Sequence, residues 1–541
     1  MRHLRHRGTF VRRVTLLAAA AALLLPAPAR PQDHDHPPGD ETLLGRVTFP
    51  VSCAAAVRPQ IQQAVAMLHS FWFESARAAF TAVLEADPQC AMAHWGVAMT
   101  MMGNPMTRAT PSRAALEEGA AAAARAAQLG SAATHREQMY IAAAAAYYAD
   151  HQTRDHLTRM RSLEEAFADL HEAHPEDMEA AIFHARTIVA NASPADRTFA
   201  AQLRGAGIMQ PLFDEHPDHP GLAHYLIHAY DVPQLAERGT KAALAYADIA
   251  PAAPHALHMP SHIFTRLGYW DESIETNARS ARAEPDSNAA VHPLDYMVYA
   301  YLQQGRDTDA RNVVERVVRI DDSYYGGLLG YNFTAMPARF AVERGAWADA
   351  AALRLPVGAA PYVQALAHFA RAVGAARTGN AAAAQADVAA LARLKAELDG
   401  ANDSYWATVV ESQRLAAAAW VAHANGAVDA AVQLAHEAAE LEETVEKHPV
   451  TPGPLLPARE LEGDLLLALG RAADALAAYE RTLEREPRRA RALFGAARAA
   501  EQTGDAEAAA ARYREILEVM GSGEPSRPEI IAARRYLASG R

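Results

Sequence analysis

Residues 470–513, GRAADALAAYERTLEREPRRARALFGAARAAEQTGDAEAAAARY, contain one pattern twice. Its first copy has a glycine, a small residue and an aromatic residue, and its second copy repeats them 34 positions later: Gly470, Ala475 and Tyr479 become Gly504, Ala509 and Tyr513. In paired helices a glycine ends one helix, a small residue permits close contact, and an aromatic ring fills the space against the next pair. The segment therefore predicts two stacked helix pairs.

The same glycine, followed five positions later by a small residue, recurs upstream. The pairs are Gly268 with Ser273, Gly305 with Ala310, Gly345 with Ala350, Gly379 with Ala384, and Gly426 with Ala431. Half of the 541 residues are hydrophobic and only 7% are aromatic, which is typical of a large, alanine-rich helical protein. We expect an all-α fold, a superhelical solenoid of about ten helix pairs.

A 34-residue period resembles that of the tetratricopeptide repeat superfamily. In addition, LHSFW at 68–72, AHWG at 93–96, HYLIHAYD at 224–231 and HALHMPSHIF at 255–264 are similar to a group of exported bacterial tetratricopeptide proteins. The resemblance implies a repeat fold, an exported location, and a concave groove that binds a protein or peptide partner. It gives no information about enzymatic activity.

The N-terminus resembles an export signal. Five arginines precede the apolar run Val14–Leu25, and Ala27 and Ala29 offer a cleavage site. We predict a signal peptide at 1–29, which places the protein in the periplasm or outside the cell; Arg12-Arg13 resembles a twin-arginine signal. An uncleaved anchor is the alternative, although the run is short for a membrane span and no later segment predicts a stable anchor.

Three further segments follow from composition and periodicity. Residues 30–48 are rich in Pro, Asp and His and predict a flexible leader. Residues 49–450 predict a tetratricopeptide-like solenoid with a histidine-rich concave groove, and residues 451–541 predict regular C-terminal repeats.

Charge and cysteine content narrow the partners and the compartment. A protein with a net charge of −13 does not neutralise the phosphates of a nucleic acid, so we expect no nucleic-acid partner. Cys53 and Cys90 are the only cysteines. In an oxidising compartment they predict a disulfide, and the alternative is a pair of reduced, buried thiols.

Histidines concentrate at the groove positions that the resemblance implies. With Pro220 and Pro254 as first positions of two repeats, positions 2, 5 and 9 of three successive first helices hold a set of six histidines, a carboxylate and a phenol. The set is His224 and His228; His255, His258 and His262; and His292, Asp295 and Tyr299.

Two histidines four residues apart present their rings on the same side of a helix, as a chelating pair requires. His224, His228, His258 and His262 therefore predict a site for Zn, Cu, Ni or Fe, which Asp231 or Asp295 would complete or orient. Pro260, between His258 and His262, predicts a kink or a helix start.

Two other interpretations stay open at this point. His255, His292, Asp231, Asp295 and Tyr299 predict a groove that holds a peptide or small ligand through hydrogen bonds and aromatic contacts. Histidines also pack structurally between repeats. The leading function is an exported scaffold that binds a protein, peptide or small ligand; the alternative is a histidine-ligated metalloprotein. Convergence of three ring nitrogens would favour the metal.

Several kinds of active site are not indicated. The sequence has no phosphate-binding glycine loop, no His-Glu-x-x-His pattern and no nucleophile elbow. A nucleotide enzyme or a serine hydrolase is therefore disfavoured, and whether the chain is an enzyme stays open. We expect His69, His94 and His184 to be structural, and His219 to be solvated.

Overall fold

The computed structural model describes residues 43–285, 290–318 and 327–539. The predicted signal peptide, 1–29, and the leader residues 30–42 lie outside this part of the chain. Within the described residues the fold is all-helical and contains no strand, as the repeat pattern predicts.

The helices of the first half are α1 (Arg58–His69), α2 (Phe73–Ala86), α3 (Ala91–Met101), α4 (Arg113–Leu129), α5 (His135–Tyr148), α6 (His156–Ala173), α7 (Met178–Ala190), α8 (Ala200–Glu215), α9 (Pro220–Tyr230), α10 (Thr240–Ile249), α11 (Pro254–His258), α12 (Pro260–Leu267) and α13 (Trp270–Ala283). Those of the second half are α14 (Val291–Gln303), α15 (Asp307–Val318), α16 (Gly327–Glu343), α17 (Trp347–Ala351), α18 (Pro361–Arg377), α19 (Ala381–Gly400), α20 (Ser404–Ala424), α21 (Val428–Glu442), α22 (Ala458–Ala468), α23 (Ala472–Arg485), α24 (Ala490–Thr503), α25 (Ala506–Met520) and α26 (Pro528–Ala538). Consecutive helices pack against one another.

The repeated glycines and tyrosine act as the sequence predicts. Gly470 and Gly504 follow α22 and α24 with φ of 75° and 82°, in the left-handed region that favours glycine. The ring of Tyr479 packs on Gly463 and Gly495, and a Cβ added to Gly495 would lie 2.2 Å from Tyr479 Cζ. These helices therefore approach closely because a glycine, which has no side chain, faces the large ring of Tyr479.

Residues 43–48, which we assigned to the leader, pack on the helices. Leu44 and Val47 are buried, and the Arg46 backbone N–H donates to Asp218 O at 2.9 Å. Burial of these apolar side chains is more favourable in free energy than their exposure to water in a flexible leader. A few residues later, a disulfide joins Cys53 to Cys90, just before α3.

Residues 444–457, between α21 and α22, form an extended connection that we call the inner strap. Nine of its residues are buried: Glu446, His448, Val450, Thr451, Pro452, Gly453, Leu455, Leu456 and Pro457. The strap hydrogen-bonds to distant parts of the solenoid, at Thr107, Pro194, Asp231, Tyr296, Asn332 and Arg339. The strap therefore packs against several distant segments of the same chain.

The C-terminal repeats contact the middle of the chain. Trp270 Nε1 donates to Arg488 O at 3.2 Å, and the Glu524 backbone N–H donates to Gly305 O at 3.0 Å. These contacts fix the last repeats against α13 and α15 rather than leaving them as a free end. Among the described helices, none has the length and apolar character needed to cross a membrane.

Candidate metal centre

Helix α9 supplies the first histidine pair. Pro220 opens the helix, where a missing N–H costs no helical hydrogen bond. One helical turn separates His224 from His228, and their Nε2 atoms lie 3.2 Å apart. His224 is fully buried and His228 is 9% exposed. Helix geometry alone therefore brings these two rings together.

The second pair lies on two short helices. Helix α11 ends at His258 and α12 begins at Pro260, so the proline marks a new helix start. The turn continues across this junction, and His258 Nε2 lies 3.1 Å from His262 Nε2. Both side chains are 1% exposed.

His255 and His292 complete two groups of three. The first histidine group is His224, His228 and His255, and the second histidine group is His258, His262 and His292. Within each group, one nitrogen from every ring lies within 4.8 Å of the others. The sequence indicated all six of these histidines, four of them as a metal site and His255 and His292 as groove residues.

The two groups adjoin each other. The ring centroids of His228 and His262 are 5.8 Å apart, and those of His255 and His258 are 6.0 Å apart. Shorter distances occur within the groups, where His258 and His292 are 4.4 Å apart and His224 and His255 are 5.0 Å apart. The six imidazoles form one continuous cluster.

Hydrogen bonds fix the tautomers of three rings. Nδ1 of His224 donates to the His69 carbonyl at 2.6 Å. Nδ1 of His262 donates to Asp231 Oδ2 at 2.8 Å. Nδ1 of His258 donates to Asn277 Oδ1 at 2.6 Å. In each neutral ring the proton is therefore on Nδ1, and Nε2 presents a lone pair to the cluster.

The orientation of the Asn277 amide is determined by its other contact. Asn277 Nδ2 donates to the Ser273 carbonyl at 2.6 Å, so Oδ1 must face His258. As a result, His258 and His262 direct two Nε2 lone pairs at each other across 3.1 Å. Neutral rings in this arrangement have no proton to share, and a cation between them would satisfy both.

Burial keeps the cluster neutral. Desolvation lowers the pKa of His224, His228, His255, His258 and His292 well below the usual value, and neighbouring histidines add to the effect. Desolvation also lowers the pKa of His262, although the Asp231 carboxylate opposes it. Neutral imidazole is the form that ligates metal.

Asp231 orients His262 and belongs to a buried charge network. Its carboxylate accepts from Arg266 Nε at 2.9 Å and from Lys447 Nζ of the inner strap at 2.8 Å. Burial would raise the pKa of Asp231, but Lys447 and Arg266 lower it well below its usual value. The ionised carboxylate therefore holds the His262 ring from behind.

Asp295 and Tyr299 have hydrogen-bond partners outside the two histidine groups. Asp295 accepts from Asn332 Nδ2 at 3.1 Å and pairs with buried Arg339, whereas the Tyr299 hydroxyl donates to Glu486 Oε2 at 3.0 Å. Seven helical residues separate His292 from Tyr299, which is about 10 Å along the axis. Asp295 therefore contacts α16 and Tyr299 contacts the C-terminal repeats, and the groove role of both residues stays a prediction.

Besides His292, the residue Tyr296 of α14 also reaches the cluster. Its ring centroid lies 5.0 Å from that of His258 and 5.3 Å from that of His292. Its hydroxyl donates to Thr451 O of the inner strap at 3.1 Å. Sequence reasoning missed this residue, although its spacing of four from His292 was a usable signal.

In a third group, His69, Glu179 and His219, the two histidines donate hydrogen bonds to the carboxylate between them. The Glu179 carboxylate accepts from His69 Nε2 at 2.8 Å and from His219 Nε2 at 2.9 Å. His219 is 1% exposed, so the expectation that it is solvated was wrong; its Nδ1 accepts the Leu222 N–H at the start of α9. Glu179, which no sequence signal marked, organises this network.

Two cavities reach the histidines. One, of about 170 Å³, is bordered by His255, His258 and His292. The other, of about 570 Å³, is bordered by His228 and Asp231 together with residues of the inner strap. His94 and His184 take no part in either group; His184 Nδ1 lies 3.2 Å from His171 Nδ1 near the surface.

Comparison with known proteins identifies the repeats. Residues 461–525 match a family model described as tetratricopeptide repeat. No curated protein matches the chain. Among solved structures, the chain is similar to one described as "Crystal structure of APC/C hetero-tetramer Cut9-Hcn1", with 12% identity over 89% of this chain and 90% of that one, and a TM-score of 0.33. That score is too low to relate the two overall folds. The tetratricopeptide repeat is thus identified in residues 461–525, and the rest of the described chain consists of packed consecutive helices.

Proposed function

We propose that this repeat protein binds transition-metal ions through its two adjacent histidine groups. One observation carries the proposal: His258 and His262 are locked with Nδ1 protonated, and their buried Nε2 lone pairs face each other at 3.1 Å. Such an arrangement is unfavourable between two neutral rings and favourable around a cation.

The distances suit shared ligation. Two imidazole nitrogens bound at 2.0–2.1 Å in a tetrahedral site lie about 3.3 Å apart. The observed separations of 3.1 Å and 3.2 Å are close to that value. In each group, a small movement of the third ring, His255 or His292, would bring its nitrogen to the ion bound by the other two rings.

The ligand set restricts the metal. Six imidazoles and no thiolate or directly facing carboxylate suit Zn, Cu, Ni or Fe, and not Ca or Mg. Three ligands per site leave a coordination position for water or another molecule. We propose two ions in neighbouring sites, one in each histidine group.

The groove-binding alternative has less support at this location. Four of the six histidines are buried and His255 and His292 are partly buried, and the inner strap hydrogen-bonds to nearby residues through Lys447, Val450 and Thr451. Tetratricopeptide repeats generally serve as scaffolds for protein partners. We expect any protein partner of this chain to bind the outer surface or the C-terminal repeats.

Export to the periplasm or outside the cell is part of the proposal. The N-terminal pattern of arginines and apolar residues supports it. The Cys53–Cys90 disulfide supports it independently, because disulfides persist in oxidising compartments.

Metal content of purified variants tests the proposal. Wild-type protein, incubated in turn with Zn, Cu, Ni or Fe(II) and then desalted, is expected to retain about two ions of at least one of these metals per chain. The double variants His224→Ala with His228→Ala, and His258→Ala with His262→Ala, should each retain about one.

The control is His171→Ala with His184→Ala, which removes a pair of the same 3.2 Å separation outside the cluster. It should keep the wild-type metal content. Circular dichroism establishes that each variant is folded. Wild-type protein that retains none of the four metals, or cluster variants that retain as much as the control, would overturn the proposal.

A further inference from the structure

The cavity beside His228 has the features of a binding site for an organic molecule. Its volume of about 570 Å³ lies within the range of small-molecule sites. Residues from α6, α7, α9 and α20 border it, together with the loop before α4 and the inner strap. We call it the aromatic cavity.

One wall consists of aromatic rings. Tyr362 and Trp406 stack with centroids 4.5 Å apart and planes inclined by 12°. Tyr405 meets Trp406 edge-on at 5.0 Å, and His448 lies 5.3 Å from Trp406. Such a surface accepts a flat, apolar group by stacking and by the exclusion of water.

Arg108 supplies an unpaired charge. This residue borders the aromatic cavity, and its buried Nε has no hydrogen-bond partner among the described residues. Burial and the charge of Arg161 lower the pKa of Arg108. A guanidinium without an acceptor in a half-buried position is costly, which favours an anionic ligand.

The backbone of Arg108 is also held in an unfavourable conformation. Its φ of 56° lies in the left-handed region, where a residue with a long side chain is uncommon. Conformations of this kind persist where the surroundings hold them, and they concentrate at binding sites. Arg108 ends the short 3-10 helix Pro105–Thr107 in this conformation, at the border of the cavity.

The other charges around the cavity have partners. Asp231 pairs with Arg266 and Lys447. Glu446 pairs with three arginines: Arg197, Arg266 and Arg485. Among the described residues no cation pairs with Asp403, whose carboxylate accepts the Trp406 backbone N–H at 3.3 Å and caps α20. Arg108 is thus the cation of this cavity that is left for an anionic ligand.

We infer that the aromatic cavity binds an aromatic carboxylate, with the carboxylate on Arg108 and the ring on the wall formed by Tyr362 and Trp406. A carboxylate matches the planar guanidinium in a bidentate fashion. His228 of the first histidine group also lines this cavity. The assignment of this ligand to the metal centre rests on the proposed function, whereas its binding rests on the cavity alone.

Three matched probes test the inference by isothermal titration calorimetry on the metal-free protein. They are 3-phenylpropionate, its neutral amide 3-phenylpropionamide, and hexanoate, which lacks the ring. We expect 3-phenylpropionate to bind at least tenfold more tightly than either of the others. Because the assay contains no metal, its outcome is independent of the metal-content measurement.

Two variants separate the contributions of charge and ring. Arg108→Met keeps an apolar side chain and should abolish the preference for the acid over the amide, whereas Trp406→Leu should weaken both. Arg113→Met, which removes an exposed arginine from α4, should bind all three probes as wild type does. Equal binding of acid and amide by the wild type, no binding of 3-phenylpropionate at millimolar concentration, or an unchanged preference in Arg108→Met would overturn the inference.

Discussion

Lys447 Nζ lies 2.8 Å from Asp231 Oδ2, so the inner strap is tied to the carboxylate that orients His262. The Lys447 side chain is 5% exposed. Burial lowers the pKa of Lys447 to about 8, with the Asp231 charge opposing part of that effect. The ion pair between Lys447 and Asp231 therefore holds the strap in place and also fixes the carboxylate that orients His262.

Removal of that ion pair should loosen the strap. Lys447→Met keeps the buried stem and deletes the charge, while Asp231 retains Arg266 and His262 as partners. We expect a loss of about 1–3 kcal/mol in the free energy of unfolding, less than for a buried charge left without any partner. Urea unfolding measures this loss, and stopped-flow transfer of bound metal to a chelator should become faster.

The comparison variant is Lys395→Met, which deletes a lysine of similar spacing from its partner, since Lys395 Nζ lies 2.6 Å from Asp399 on the surface of α19. Exposed pairs contribute little to stability. Equal behaviour of the two variants would show that the Lys447 contact does not hold the strap.

Asn277 should control metal affinity without touching the metal. In Asn277→Ala the His258 ring loses the acceptor that fixes its tautomer. Loss of such an outer partner typically lowers metal affinity by roughly 10- to 100-fold. Competition with a chromophoric chelator measures this change at the second histidine group.

The first histidine group is the internal reference for that measurement, because His224 is oriented by the His69 carbonyl and not by Asn277. Its affinity should stay within the experimental error of wild type. Equal weakening of both groups would instead indicate a general disturbance of the fold, and no weakening would contradict the orienting role of Asn277.

Glu442 predicts a dependence of stability on pH. Burial raises the pKa of this carboxyl to about 7, and its Oε1 accepts the Ala458 N–H at 2.8 Å. Between the unfolded pKa and about 7, the folded state retains a proton that the unfolded state releases. The contribution of Glu442 to stability is therefore full at low pH and is lost as the pH rises through 7.

Glu442→Gln keeps the acceptor and removes the ionisation. Relative to wild type, this variant should gain about 2–3 kcal/mol in the free energy of unfolding at pH 8 and nearly nothing at pH 4. Urea denaturation of both proteins at the two pH values measures the difference. A gain that is the same at both values would argue against a protonated Glu442 in the folded protein.

The disulfide should stabilise the first helices. Cys53 and Cys90 close a loop with a sequence separation of 37. A loop of that length corresponds to about 3–4 kcal/mol in the chain-entropy model. Cys53→Ser with Cys90→Ser should lower the thermal midpoint of unfolding and open α1–α3 to limited proteolysis first. Unchanged proteolysis in this region would mean that the packing of Phe49 and Trp95 suffices to hold it.

The sequence by itself determined what depends on local spacing. The 34-residue recurrence of Gly470 and Tyr479 predicted helix pairs, because a left-handed turn and a close helix contact require specific residues at fixed positions. The spacing of four from His224 to His228 and from His258 to His262 predicted facing rings, because a helix returns to the same side after about four residues.

Only the tertiary structure decided what depends on contacts between distant segments. It selected Tyr296 rather than Tyr299 as the phenol at the histidines, and it brought Asn277 to His258 and Lys447 to Asp231. It also placed the inner strap against the histidine cluster. Residues so far apart in the chain meet only through the curvature of the stacked helices and the packing of their side chains, and no local period encodes those distances.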